Sequence, residues 1–194
     1  MDGFARRKEQ NKIRIINAAE TLFNQYGIEK ISVDEIARQA GVSKVTIYHL
    51  FRNKDGLIFS YFEKIGYGFI QLLNDLLHKD QPYMDKLEAI FQYAIKAQEK
   101  RPRFDIECDK NPELQQLRDR LLQQERDVML QLINEGKKGG YLNPDLSIDA
   151  IETYIEIIST GVKDNRSLHG KFRNDKKQLH DLLLIMLYGF AKIK

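Results

Sequence analysis

Between Ser43 and Lys54 the chain gathers polar side chains that donate or share hydrogen bonds: Ser43, Lys44, Thr46, Tyr48, His49 and Lys54, with Val45 among them. Lysine and threonine can donate to base edges or phosphates. Valine can pack against a thymine methyl, and tyrosine and histidine can hydrogen-bond a sugar-phosphate backbone. Ser43, at the start of a helix, adds backbone N–H groups suited to a phosphate. This is the chemistry of polyanion recognition. Nothing in the sequence matches it with a reaction centre: there is no glycine-rich phosphate loop, nucleophile elbow, metal-binding His/Glu helix or paired Cys motif. His78, His169 and His180 are scattered without ligand spacing, so neither a metal nor a cofactor is expected. Glu107, Cys108 and Asp109 are expected to face solvent. The expectation is a non-enzyme.

The elements that position these residues are helices. Apolar residues recur at helical spacing throughout, and Gly and Pro fall between the periodic segments, which predicts an all-α chain of about nine helices. The first runs from about Arg7 to Tyr26 with Ile13, Ile16, Ala19, Leu22 and Phe23 on one stripe, and Gly27 closes it. Ser32 and Glu35 form a capping box that starts a second, short helix carrying Ile36, Ala37 and Ala40 inward. Gly41 ends it, and Ser43 caps a third. Two short helices joined by a three- or four-residue turn with a glycine at the bend have the form of a helix-turn-helix. With Ile47, Leu50 and Phe51 inward, a rotation of 100° per residue turns Val45, His49 and Arg52 outward, with Lys44, Thr46 and Tyr48 on the flanks. Asn53 is expected to cap the fourth helix, where Lys54 would reach the backbone on the other side. Gly56, inside the start of that helix, is expected to weaken it by about 1 kcal/mol relative to alanine.

Gln81-Pro82 separates the fourth helix from a fifth, roughly Tyr83 to Lys100. Pro102 and Pro112 bracket a stretch expected to be irregular, and Pro112-Glu113 opens a long helix. The segment EGKKGGYLNPDLS, from Glu135 to Ser147, is expected to break the chain. Ser147 caps the next helix, and the last is expected from about Asp175.

The run ISVDEIARQAGVSKVTIYHLFRNKDGL, Ile31 to Leu57, resembles the DNA-binding domain of TetR/AcrR-type bacterial transcriptional regulators, together with the preceding helix through Phe23 and Gly27. Ala18, Ile36, Ala37, Ala40, Gly41, Val42, Ser43, Tyr48, Phe51, Lys54 and Leu57 carry the likeness, which covers about residues 11 to 57. Two positions depart from it: Leu50 stands where tyrosine or histidine is frequent, and Val45 where glycine is. The resemblance implies a helix-turn-helix domain over residues 1–53, with Ser32, Ser43, Lys44, Val45, Thr46, Tyr48, His49 and Lys54 at the DNA. It implies a larger helical domain over 54–194 for effector binding and dimerisation. Aromatic and apolar residues on the middle helices, Tyr61, Ile65, Phe69, Phe91, Tyr93, Phe104 and Met129, are the expected lining for a small apolar or aromatic effector. The last two helices are expected to form a four-helix bundle with a second copy through Ile151, Ile155, Ile158, Leu179, Leu183, Met186 and Phe190. The apolar run LLLIMLYGF also calls for more than one partner surface. A homodimer released from a near-palindromic double-stranded operator by its effector is the function implied. A ligand-dependent activator and a helical co-regulator that does not bind DNA are the alternatives.

Bulk properties agree. The net charge of +3 is confined to the first part: residues 1–56 hold ten Lys/Arg and seven Asp/Glu, and the remainder holds twenty-one of each. A basic end on a neutral body fits a polyanion-binding module attached to a regulatory one. A single cysteine, Cys108, allows no internal disulfide and points to a reducing compartment. The longest apolar run is about half of the roughly 20 residues that span a bilayer, and the N-terminal residues lack an apolar signal-peptide stretch. The expected location is cytoplasmic, with no membrane partner.

Overall fold

The computed structural model describes residues 3–100 and 104–164, together with 177, 181, 184 and 185. Eight helices follow one another: α1 (Gly3–Tyr26), α2 (Val33–Ala40), α3 (Lys44–Phe51), α4 (Lys54–His78), α5 (Tyr83–Lys100), α6 (Phe104–Cys108), α7 (Pro112–Lys138) and α8 (Ile148–Asp164). The described residues include no strand. None of their helices is long and apolar enough to cross a membrane. The last expected helix, with Leu179, Leu183, Met186 and Phe190, falls outside the described residues, of which only 177, 181, 184 and 185 lie in that part of the chain.

Local chemistry sets the early boundaries. The Ser32 hydroxyl accepts the Glu35 N–H at 3.3 Å, and the Glu35 carboxylate accepts the Ser32 N–H at 2.7 Å, which satisfies two otherwise orphaned donors of α2. Gly41 stands at φ 64°, ψ 41°, a left-handed conformation that only glycine adopts without strain, and Val42 N–H bonds back to Ala37 O at 3.0 Å. The α3–α4 corner is tighter still. Arg52 has a positive φ of 68°, and Asn53 Oδ1 caps α4 by accepting the Gly56 N–H at 2.8 Å. A Cβ at Gly56 would lie 2.1 Å from the Phe51 carbonyl oxygen. The expectation that this glycine weakens α4 is therefore corrected: the backbone of the corner occupies the space an alanine methyl needs.

The chain divides into two compact units, Met1–Phe69 with Lys100–Leu121, and Ile70–Glu99 with Leu122–Lys194. The packing of α4 explains the extent of the first unit. In the first unit Phe23 of α1 meets Tyr61 of α4 edge-on at 5.3 Å, Tyr61 meets Phe62 at 4.9 Å, and Phe62 meets Phe104 at 4.4 Å. The first half of α4 thus belongs with the helix-turn-helix, and α6 joins it through Phe104. Ile15, Ala19, Phe23, Ile36, Ile47, Leu57 and Tyr61 are each 1% exposed or less, and burying each large one contributes roughly 1.5–3 kcal/mol. On α1 the buried stripe runs through Ile15, not Ile13, which is exposed.

The stretch between Pro102 and Pro112 contains the single-turn helix α6, not an irregular segment throughout. Its last residue, Cys108, is fully buried with Sγ facing Leu114 O at 3.5 Å, so the expected solvent-facing cysteine is corrected too. In the second unit α7 continues through Glu135, Gly136, Lys137 and Lys138 before the chain turns at Gly139. Ile133, Leu142 and Ile151 form a core there, with Leu146, Ile148, Tyr154 and Ile155 packed against it. Arg126 grips Glu152 through two hydrogen bonds of 2.9 Å, tying α7 to α8.

Candidate nucleic-acid interface

The outward face of α3 is built by what holds the helix from behind. Ile47 and Phe51 are buried, and this sets the rotation of the remaining side chains. Val45 is 75% exposed and Tyr48 41%; Lys44 and His49 are exposed as well, while Thr46 and Leu50 are half-buried. Ser43 caps the helix, its hydroxyl oxygen accepting the Thr46 N–H at 3.1 Å and lying 2.8 Å from the Thr46 hydroxyl. The turn is fixed from α1: the Arg14 guanidinium donates to Ala40 O at 2.7 Å. The turn and the first turn of α3 are thus held in place within the unit itself.

Lys44 is not free on this face. Its ammonium donates to Asp34 Oδ2 of α2 at 2.8 Å and lies 6.0 Å from the centre of the Tyr48 ring. The Asp34 hydrogen bond holds the lysine above its ordinary pKa, against a smaller opposing effect of desolvation. Asp34 and Arg14 carry no signal in the sequence reading, because their partners lie ten and twenty-six residues away and no local spacing marks them.

Lys54 sits apart from the exposed set. It is half-buried and donates to Ile28 O at 2.8 Å, so a phosphate contact from it would have to replace that bond. Ser32 is exposed, but its N–H and hydroxyl both donate to the Glu35 carboxylate at 2.7 Å. This holds Glu35 below its ordinary pKa. Ser43, Lys44, Val45, Thr46, Tyr48 and His49 are brought together on one short helix. Arg6, Arg7 and Lys8 are exposed near the start of α1.

The expected effector residues are divided between the two units. Tyr61 is wholly enclosed in the first unit, with its hydroxyl 3.4 Å from Asn24 Oδ1. Ile65, Phe69 and Phe104 are half-buried in that unit, and Phe91, Tyr93 and Met129 are half-buried in the other. A crevice of about 270 Å³ in the first unit is lined by residues including Glu29, Lys54, Glu107 and Lys110, and a groove of about 690 Å³ in the second by residues including Leu77, His78, Gln131 and Glu135. Neither contains any of the seven. Of the expected dimer residues, Ile151 is 2% exposed inside its own unit and Ile155 packs on that core, while Ile158 is half-buried.

Residues 15–61 match the family model for bacterial regulatory proteins of the tetR family. Over that segment, from Ile15 of α1 to Tyr61 of α4, the chain is similar to the TetR family. Among its relatives, the HTH-type transcriptional repressor KstR2 of Mycobacterium tuberculosis is 24% identical over 176 residues, covering 80% of each chain. GusR of Salmonella enterica superposes with a TM-score of 0.74 at 18% identity, over 94% of this chain and 96% of that one. The regulator FadR of Bacillus subtilis, solved in complex with stearoyl-CoA, gives a TM-score of 0.62 at 23% identity, over 91% and 95%. The fold shared with these solved structures therefore extends over nearly the whole chain, beyond the segment that carries the motif.

Proposed function

We propose that this chain is a TetR-family transcriptional repressor that reads a near-palindromic DNA operator as a homodimer in the cytoplasm and leaves it when a small apolar effector binds. The observation that carries the reading is α3. It is an eight-residue helix pinned by Ser43, Arg14, Ile47 and Phe51, and it presents Lys44, Val45, Tyr48 and His49 to solvent at major-groove scale. The excess of positive charge in the same part of the chain adds a sequence-independent attraction to phosphate. The apolar character of the effector is supported by the half-buried Phe69, Phe91, Tyr93 and Met129, and by the acyl chain in the FadR complex. Dimerisation is supported by the uncharged apolar run from Leu182 to Ala191, which calls for more than one partner surface. Release follows if the effector binds more tightly to a dimer whose reading heads are out of register with the groove. Its difference in affinity for the two states limits the size of the response.

The test is selection of bound sequences from a random duplex pool with wild-type protein and with Lys44→Ala and Tyr48→Ala, at two salt concentrations. Wild type should enrich a near-palindromic site with steep salt dependence. Each variant should bind it roughly ten-fold or more weakly, with unchanged helical content, as expected when a base or phosphate contact of about 1–3 kcal/mol is lost. Unaltered binding by both variants would remove α3 from the interface.

A further inference from the structure

Asp34 and Lys44 occupy the first turns of the two helices of the helix-turn-helix, and their side chains meet at 2.8 Å while remaining 60% and 45% exposed. The carboxylate is not needed to cap α2, because Ser32 and Glu35 already complete that box. It turns instead toward the one lysine on the outward face of α3. Resting on the DNA-binding reading above, we propose that Asp34 sets sequence specificity by holding the Lys44 ammonium away from the phosphate backbone, releasing it only to an acceptor that replaces the carboxylate.

Phosphates are present on every duplex, so a lysine free to meet one strengthens binding without sequence information. A lysine held by a carboxylate adds no net charge to the face, and its reach to phosphate must compete with a bond already made. An exposed pair is held weakly enough to be exchanged. A guanine edge offers O6 and N7 together in the major groove, a cluster of acceptors absent from other bases. At a site that lacks such an edge, Lys44 either stays on Asp34 and contributes no contact, or meets a phosphate and leaves the Asp34 carboxylate facing the duplex uncompensated, which penalises that site. Asp34 is thus a positioning residue that acts through Lys44.

The experiment measures the affinity of full-length wild type, Asp34→Asn, Lys44→Ala and the double variant. The probes are a duplex recovered from the random pool and the same duplex with its bases shuffled, over a series of salt concentrations. Asp34→Asn should bind the shuffled duplex about five-fold more tightly. Its slope of log affinity against log salt should steepen by about 0.9 for each phosphate gained. The selected duplex should gain less, so discrimination falls, and Asp34→Glu should restore it. In the Lys44→Ala background the Asn substitution should change neither slope nor discrimination. An equal gain on both duplexes, an unchanged slope, or a gain that persists without Lys44 would overturn the proposal while leaving DNA binding intact. Failure of wild type to enrich any duplex would overturn both.

Discussion

Tyr83 lies 4% exposed with its ring stacked on Tyr141, centroids 4.9 Å apart, beside a buried Lys86 that donates to Glu135 at 2.8 Å and to Leu77 O at 2.9 Å. Burial, and to a lesser degree the Glu135 carboxylate, push the Tyr83 phenol well above its ordinary range. A phenol with a higher pKa folded than unfolded keeps its proton in the native state at pH values where the unfolded chain has lost it. Stability is then complete below about pH 10 and declines as pH rises beyond it. Tyr83→Phe should flatten that decline between about pH 9.5 and 11, read as the shift of the urea midpoint. Identical declines in both proteins would show that Tyr83 is not the group responsible. At this scale the sequence is readable for residue type and unreadable for partnership. Lys44 and Lys54 have the right chemistry for DNA, yet each already holds a bond to a residue distant in the chain, Asp34 and Ile28. Lys110 likewise reaches Glu29 at 2.5 Å across eighty-one positions. Such pairings follow from how helices cross, which periodicity does not encode.

Helix boundaries are where sequence and structure agree most closely, because caps are local. Ser32 with Glu35, Gly41, Ser43, Asn53 and Ser147 act where their side-chain chemistry places them, and α5 spans Tyr83–Lys100 as its flanks predict. The short α6 escapes the same reasoning, since five residues hold too little of a period and Phe104 packs against Phe62, a residue distant in the chain. Gly56 marks the sharpest divergence. Helix propensity alone makes Gly56→Ala stabilising by about 1 kcal/mol. The Phe51 carbonyl at 2.1 Å from the missing Cβ reverses the sign, and overpacking against backbone costs about 1–3 kcal/mol. Thermal and urea unfolding of Gly56→Ala should therefore show a less stable protein with weaker operator binding, because the corner fixes the end of α3. A gain in stability would mean that the corner opens without cost.

For the molecule as a whole, the exposed surface of one α3 is too small to specify a site. An eight-residue helix reaches only a few base edges, and discrimination of about 1–3 kcal/mol per base pair has to be summed over more of them. A two-fold pair of chains, as proposed, would double the reading surface and tie the two heads at about 34–36 Å, one turn of DNA, so that the second contact would be made at high effective concentration. The interface proposed for this pairing lies on the last helices, where Leu183 and Met186 belong to an apolar run with no charged residue from Leu182 to Ala191. Leu183→Glu and Met186→Glu should each place an ionised carboxylate in that apolar seam. Sedimentation should then report a species near 22.7 kDa instead of twice that mass. Binding to the full site should fall by orders of magnitude, while the weak affinity for an isolated half-site stays close to wild type, since α3 is untouched. If both variants remained dimers with full operator affinity, the pairing surface would have to be sought elsewhere, with the exposed Ile157 face of α8 as the next place to substitute.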